Sequence, residues 1–409
     1  MPARQTSRPL LRHQTCNRIR AGDIELPIPS NKDNFFLPGT QPHTLVDTIP
    51  ATTSCQVCHS EPIYGAYRGS MMAQAGRDPL FWSALAVANN DAVGAGDYCL
   101  RCHMPKGWLE GRSDQADGSG MLAEDIDAGV ACEVCHRMVD PVPGAQDETT
   151  DLDIAIRAAL TSTVPIDHAG SAMIIVDPND NRRGPFALPG FGFHTAFQSN
   201  FQNQGIDAVA ASRLCGSCHN VDNPLLVWTE NPPNGGPAQY WPNTLGEQAP
   251  SFESGDIFPL ERTYDEWLAS TYAQGCVFAT QFAGAKPDGI VESCQDCHME
   301  RQIGEGAQSF LNPTYRDCVT TGCLPAHTFI GGNAWIPEIL QDSRWRLYNE
   351  TDAPYLQETV KSARSLLQRA ATVTASIETD GNSKTAVVRV INETGQYYTT
   401  ATPKVAACG

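Results

Sequence analysis

At 409 residues the chain is long enough for two or three ordinary domains, but only 41% of it is hydrophobic and it holds 29 prolines and 34 glycines, a composition poor in material for a large side-chain core. Its 28 Lys+Arg against 46 Asp+Glu give a formal net charge of -18, which argues against nucleic acid as a partner. Such a surface attracts a basic protein, a cationic mineral or a metal ion, or serves only to keep an exported protein soluble.

Residues 1–34 read as an N-terminal tail. The start, MPARQTSRPLLRHQTCNRIRAGD, is basic but has no apolar segment of about 7 to 15 residues behind it, so no export signal is legible. No run of 18 or more apolar residues follows anywhere, so no membrane-spanning helix is expected.

Residues 35–140 form the next region. Within it RDPLFWSALAVANND predicts a helix with Asp78 as N-cap and Pro79 at the first position. Leu80, Phe81, Ala84, Leu85 and Ala88 then make one buried stripe. A break, DPVPGAQDETTD at 140–151, opens the region 141–228, and TENPPNGGPAQYWPNTLGEQAPSFESGD at 229–256 predicts a long surface loop or boundary. In the region 257–350, TYDE predicts a capping box between Thr263 and Glu266, with a helix through Trp267, Leu268 and Tyr272 to Gly275. Residues 351–409 begin with an amphipathic helix after Pro354. VTASIE and KTAVVRVIN then form a hairpin across Asp380-Gly381. A lone hairpin is marginal in water, so either the chain is cut inside a β-sandwich or a neighbouring molecule completes the sheet.

Through these regions runs one repeated arrangement. Cys55, Cys58 and His59, then Cys99, Cys102 and His103, Cys132, Cys135 and His136, Cys215, Cys218 and His219, and Cys294, Cys297 and His298 are five Cys-x-x-Cys-His pentads. This is the attachment signature of haem c: thiols three apart share a face of a helical turn and bond two vinyl groups on one porphyrin edge, and the next residue brings its imidazole to the iron as proximal ligand. Zinc is the bland alternative for a Cys-x-x-Cys pair. Histidine is only 10 of 409 residues, and its chance recurrence behind all five pairs has odds on the order of one in a hundred million, since zinc does not require it there. Five buried macrocycles would also supply the apolar surface that the composition lacks. The expected architecture is therefore mainly α with extensive irregular loops, haem-cored, with sparse regular structure and a C-terminal β-hairpin. The first three pentads lie within residues 55–136 and are expected to form a three-haem centre.

Each iron has a second axial position. His13, His43, His168, His194 and His327 remain outside the pentads, the number that five bis-histidine haems require. His194 in FGFHTAF and His327 in PAHTFIGGN are best placed, His168 and His43 are intermediate, and His13 sits in the basic tail. Met72, with Met71, is the alternative kind of distal ligand, on a segment read as a helix facing haem. Met104 and Met299 directly follow pentad histidines and are expected to point away from the haems bound there. Of the five other cysteines, Cys16, Cys276, Cys318, Cys323 and Cys408, the pair Cys318 and Cys323 is spaced for a local disulfide, with Cys276 another partner, and an odd number leaves at least one unpaired within the chain. No catalytic thiol is apparent.

The segments FFLPGTQP, SMMAQAGRDPLFWSALAVA, YCLRCHMPKGWLEGR, GVACEVCHR, LCGSCHNVDNP, SCQDCHM and HTFIGGN, over roughly residues 35–340, resemble the secreted multihaem c-type cytochromes. That resemblance implies electron transfer in the periplasm or outside the cell, with other redox proteins or extracellular electron acceptors as partners. It also admits homo-oligomers, filaments and multihaem reductases. Many such proteins end in a β-sandwich introduced by Asn-x-Thr-Gly-His-x-Leu-Pro; here INETG ends at Gly395 and Gln396 stands in the histidine's place. The rival function is an oxidoreductase acting on a small nitrogen or sulfur compound at one open haem. Reductases of the nitrite type mark that haem with Cys-x-x-Cys-Lys, which does not occur here. The hydroxylamine type uses a haem-linked tyrosine, which sequence does not display.

Overall fold

The computed structural model describes residues 24–59, 63–142, 149–160, 169–186, 188–191, 194–203, 205–275, 277–308, 315–342, 352–381 and 383–396. Helix makes up 36% and strand 19%, so regular structure is not below the usual proportions as the proline and glycine content led one to expect. It is cut into short pieces instead. Among the described residues the longest helix is Ala353–Arg369, and every sheet has two or three strands. No described helix is long and apolar enough to cross a membrane.

The helix Pro79–Asp91 begins as its sequence dictates: the Asp78 carboxylate accepts from the amides of Leu80 at 2.8 Å and Phe81 at 3.4 Å, and Pro79 takes the first position. Its buried face is narrower than the stripe predicted. Phe81 and Leu85 are buried, whereas Leu80 is 59% exposed and Ala84 also faces solvent. The chain turns at Gly94 in the left-handed region and returns as the helix Ala95–His103, which covers one side only. Gly96 in that second helix has no room for a side chain, since a Cβ there would lie 1.8 Å from the Ala116 carbonyl oxygen.

Phe81, Leu85, Leu100, Met104, Trp108, Val134, Met138 and Phe201 share one apolar core, against which Cys99 and Cys218 pack. The core thus gathers side chains around three different pentads.

The expected capping box at Thr263 does not form. The helix runs from Thr263–Leu268 with Arg262 at its N-cap, and the Glu261 carboxylate takes the Thr263 amide at 2.8 Å. Tyr264 and Trp267 are buried, and the helix stops before the short 3-10 turn Tyr272–Gln274 and Gly275. Nor is 229–256 wholly a loop. Gln239–Pro242 within it pairs with Val221–Thr229, whose other edge takes Ile257–Glu261, giving a three-stranded antiparallel sheet.

The helix Ala353–Arg369 ties the end of the described chain to its beginning. Arg68 pairs with Asp352 at the helix entrance, and Thr359 donates its hydroxyl to the Gly69 carbonyl at 2.7 Å. Leu356 packs with Ile336 and Leu340 on another side. Strands Ala371–Asp380 and Ser383–Asn392 then form the expected hairpin, paired from Ala371 with Asn392 to Asp380 with Ser383. Val373, Ile377, Val388 and Val390 lie on one of its faces, all exposed. No third strand joins it among the described residues.

Candidate haem-attachment site

Each pentad sits on a turn of helix. Cys99, Cys102 and His103 end the helix Ala95–His103, and Cys132–His136 and Cys294–His298 are short helices of their own. The fourth begins in the helix Ala208–Gly216, and the first lies on the 3-10 helix Thr52–Val57. Where the named helix ends inside the pentad, the turn is carried on by the histidine. His59 donates its amide to the Cys55 carbonyl and His219 to that of Cys215, both at 2.9 Å. The two thiols thereby share a face with the imidazole close behind them. Polar side chains fix the fifth turn. Ser293 accepts from the Asp296 amide at 3.1 Å, Asp296 accepts in return from the Ser293 amide at 3.3 Å, and Arg301 holds that carboxylate at 3.1 Å.

The proximal imidazoles are oriented by backbone. Nδ1 lies 2.7 Å from the Gly306 carbonyl in His59, 2.8 Å from that of Arg183 in His136 and 2.5 Å from that of Ile330 in His298. A carbonyl only accepts, so Nδ1 carries the proton and Nε2 keeps its lone pair for a metal. His103 is held differently: its ring stacks on Phe81 at 4.1 Å and 17°, with no hydrogen-bond partner at Nδ1 among the described residues. Burial pushes its pKa down to about 4. A neutral imidazole is the ligating form.

The first and third pentads open onto one cavity of about 610 Å³, also lined by Tyr67, Met72, Arg316, His327 and Phe329. Across it, the rings of His136 and His327 lie 6.1 Å apart, centroid to centroid, and 19° from parallel. An atom bonded to one nitrogen of each ring at about 2 Å spans such a gap. His327 has its own Nδ1 3.1 Å from the Pro325 carbonyl, and burial, then His136, lowers its pKa to about 3. Four thiols, their two imidazoles and a further imidazole on a cavity wall are a donor set that fits haem c.

Thiols of different pentads also lie close. Cys55 neighbours Cys132, Cys102 neighbours Cys218, and Cys215 neighbours Cys294. Cys135 lies within electrostatic reach of both Cys215 and Cys218. This closeness has a structural cause: Cys294 donates its amide to Ser212 at 3.1 Å, and Gln202, just ahead of the fourth pentad, donates to the Cys135 carbonyl at 2.7 Å. Nearness therefore departs from sequence order. First adjoins third, and the fourth adjoins second, third and fifth. Burial raises Cys99 to about 11 and Cys135 and Cys297 to about 12, the setting of a thiol that is not a thiolate nucleophile.

The remaining candidates are placed unequally. Met72 lines the cavity, but from a turn whose carbonyl accepts the Val130 amide at 3.0 Å, not from a helix. Met71 packs beside Ile336 and Leu340 instead. Met104 is fully buried in the main core, while Met299 reaches the cavity of the first and third pentads. His43 is exposed, in the left-handed region, with its ring against Gly111 and outside that cavity. His194 opens the strand His194–Gln198 and pairs with Phe191. His13, His168, Cys16, Cys276 and Cys408 lie outside the described residues. Cys318 and Cys323 form the disulfide their spacing allowed. Sequence reasoning missed the carbonyls of Gly306, Arg183 and Ile330, because a backbone acceptor has no residue signature.

No curated protein and no solved structure matches the chain. Residues 54–137, which hold the first three pentads, match the family described as cytochrome c554 and c-prime. This match supports a c-type cytochrome, a haem c protein of electron transfer, as the kind of protein to which this stretch of the chain is similar.

Proposed function

We propose that the protein is a multihaem cytochrome that passes electrons among five covalently bound haems, in the periplasm or outside the cell. The observation that carries this reading is the proximity of the pentads: thiols of the first and third, second and fourth, and fourth and fifth are close neighbours. When bound, haem c supplies a one-electron iron couple whose potential follows its axial ligands and burial. The chain fixes the attachment points so that the fourth pentad is a junction, linked to the second, third and fifth, with the first reached through the third. His136 and His327 are the two imidazoles that would hold the iron of the third pentad's haem. The haems form the centre of a mainly helical, loop-rich fold, and the net charge of -18 favours a basic redox protein or a cationic extracellular acceptor as partner.

The test is intact-mass spectrometry of the haem-loaded chain with low-temperature EPR of its fully oxidised form. Five attached haems, all low-spin, agree with the reading. Fewer than five overturn the count, and one high-spin iron favours the rival oxidoreductase, with its substrate at that haem.

A further inference from the structure

Arginines at the cavity of the first and third pentads differ in one respect. Arg182 pairs with Glu133 and, at 3.1 Å, with Asp180; Arg183 pairs with Asp153 at 2.6 Å and Asp177 at 3.0 Å. Their charges are answered. Arg316 lines the same cavity and has no carboxylate partner among the described residues. Its guanidinium lies instead over Phe186, with the central carbon 3.9 Å from the ring centroid.

Arg316 is also held in position. Gly304–Glu305 pairs with Tyr315–Arg316, placing Arg316 opposite Gly304, and the same stretch supplies the Gly306 carbonyl to His59. Two residues on, the Gln308 amide donates to the Cys58 carbonyl at 2.9 Å. The ladder that orients the first pentad thus carries the arginine. Beyond it, Asp317 accepts from the amides of Val319 and Thr320, the Cys318–Cys323 disulfide closes the loop, and Gly322 comes up beside Phe186.

We propose that Arg316 is an anion-binding residue of the first pentad's site and receives a propionate carboxylate of the haem attached at Cys55 and Cys58. The inference rests on the reading of the pentads as haem sites. Its basis is a planar cation, seated on Phe186 and without a carboxylate partner among the described residues, on the wall of a cavity whose ligand brings carboxylates, and a guanidinium matches a carboxylate bidentately. Arg316 acts on the iron only through that charge. A cation there disfavours the ferric state, which carries one more positive charge.

The experiment is a spectroelectrochemical titration of the full haem-loaded chain against its Arg316→Gln and Arg316→Lys variants. In R316Q one haem component is expected to move to a more negative potential while the others stay, and R316K is expected to restore most of the shift. Haem content by intact mass stays at the wild-type value in both. If R316Q titrates as wild type, or all components move together, the propionate contact is wrong. Loss of a haem in R316Q overturns it in favour of a structural role. Added nitrite that perturbs the wild-type spectrum and not that of R316Q would make the site one for an external anion, and also overturns it. A wild-type chain carrying fewer than five haems is a separate failure, of the five-haem count alone.

Discussion

His136 and His327 stand nearly half the chain apart in sequence, yet their rings face each other across 6.1 Å with planes 19° from parallel. Each ring has Nδ1 beside a backbone carbonyl, of Arg183 and Pro325 respectively. Removing one imidazole should therefore open one axial position and no other. In His327→Ala one low-spin signal is expected to become high-spin in the EPR spectrum. His327→Met should keep the iron six-coordinate and raise the potential of that component, since thioether ligation favours the ferrous state.

Glu261 gives a pH dependence of known sign. Burial pushes its carboxyl up to about 7 from an ordinary glutamate's 4.5, against the pull of the Thr263 amide. A folded-state pKa above the unfolded one means the fold prefers the protonated form. The stability it contributes is full below about 4.5 and is lost as pH rises through about 7. Denaturation midpoints of Glu261→Gln, whose amide oxygen still accepts from Thr263, are expected to fall less than wild type between those limits. Parallel curves for the two proteins would refute the assignment.

Asp78→Ala removes the acceptor of the Leu80 and Phe81 amides. Loss of such a cap costs about 1 kcal/mol, read as a lower midpoint in chemical denaturation. Asp78→Asn should recover most of it, because the side-chain oxygen remains.

Gly96→Ala is expected to cost more. The added Cβ would lie 1.8 Å from the Ala116 carbonyl and 2.5 Å from the Asn89 side chain, which itself accepts from the Gly96 amide at 2.9 Å. Backbone has to move, and overpacking of this kind costs about 1 to 3 kcal/mol. The strain falls on the helix of the second pentad, so the Cys102 and Cys218 pair is the second readout. Their haems should show altered coupling in the redox titration even where the chain remains folded.

What could be read from sequence and what could not divides along the range of the interaction. The pentads, the Asp78 cap, the hairpin across Asp380-Gly381 and the Cys318–Cys323 bridge are local patterns, and each appears where spacing put it. The Thr263 capping box failed because Glu261, two residues earlier, already takes the amide. The 229–256 loop gained a strand because Val221–Thr229 had a free edge for Gln239–Pro242. The pairing of Cys102 with Cys218, and of His136 with His327, depends on chain returns over long distances, for which spacing carries no information.

The span between His136 and His327 also orders events in time. During synthesis the third pentad emerges long before PAHTFIGGN does, and its imidazole waits alone until that segment arrives. Arg68 meets Asp352, and Gly69 meets Thr359, later still. The cavity is thus closed only once His327 and Phe329 have been made, so a nascent chain interrupted before residue 327 would present its third attachment turn half-built, a state that a quality-control protease could tell from the completed one.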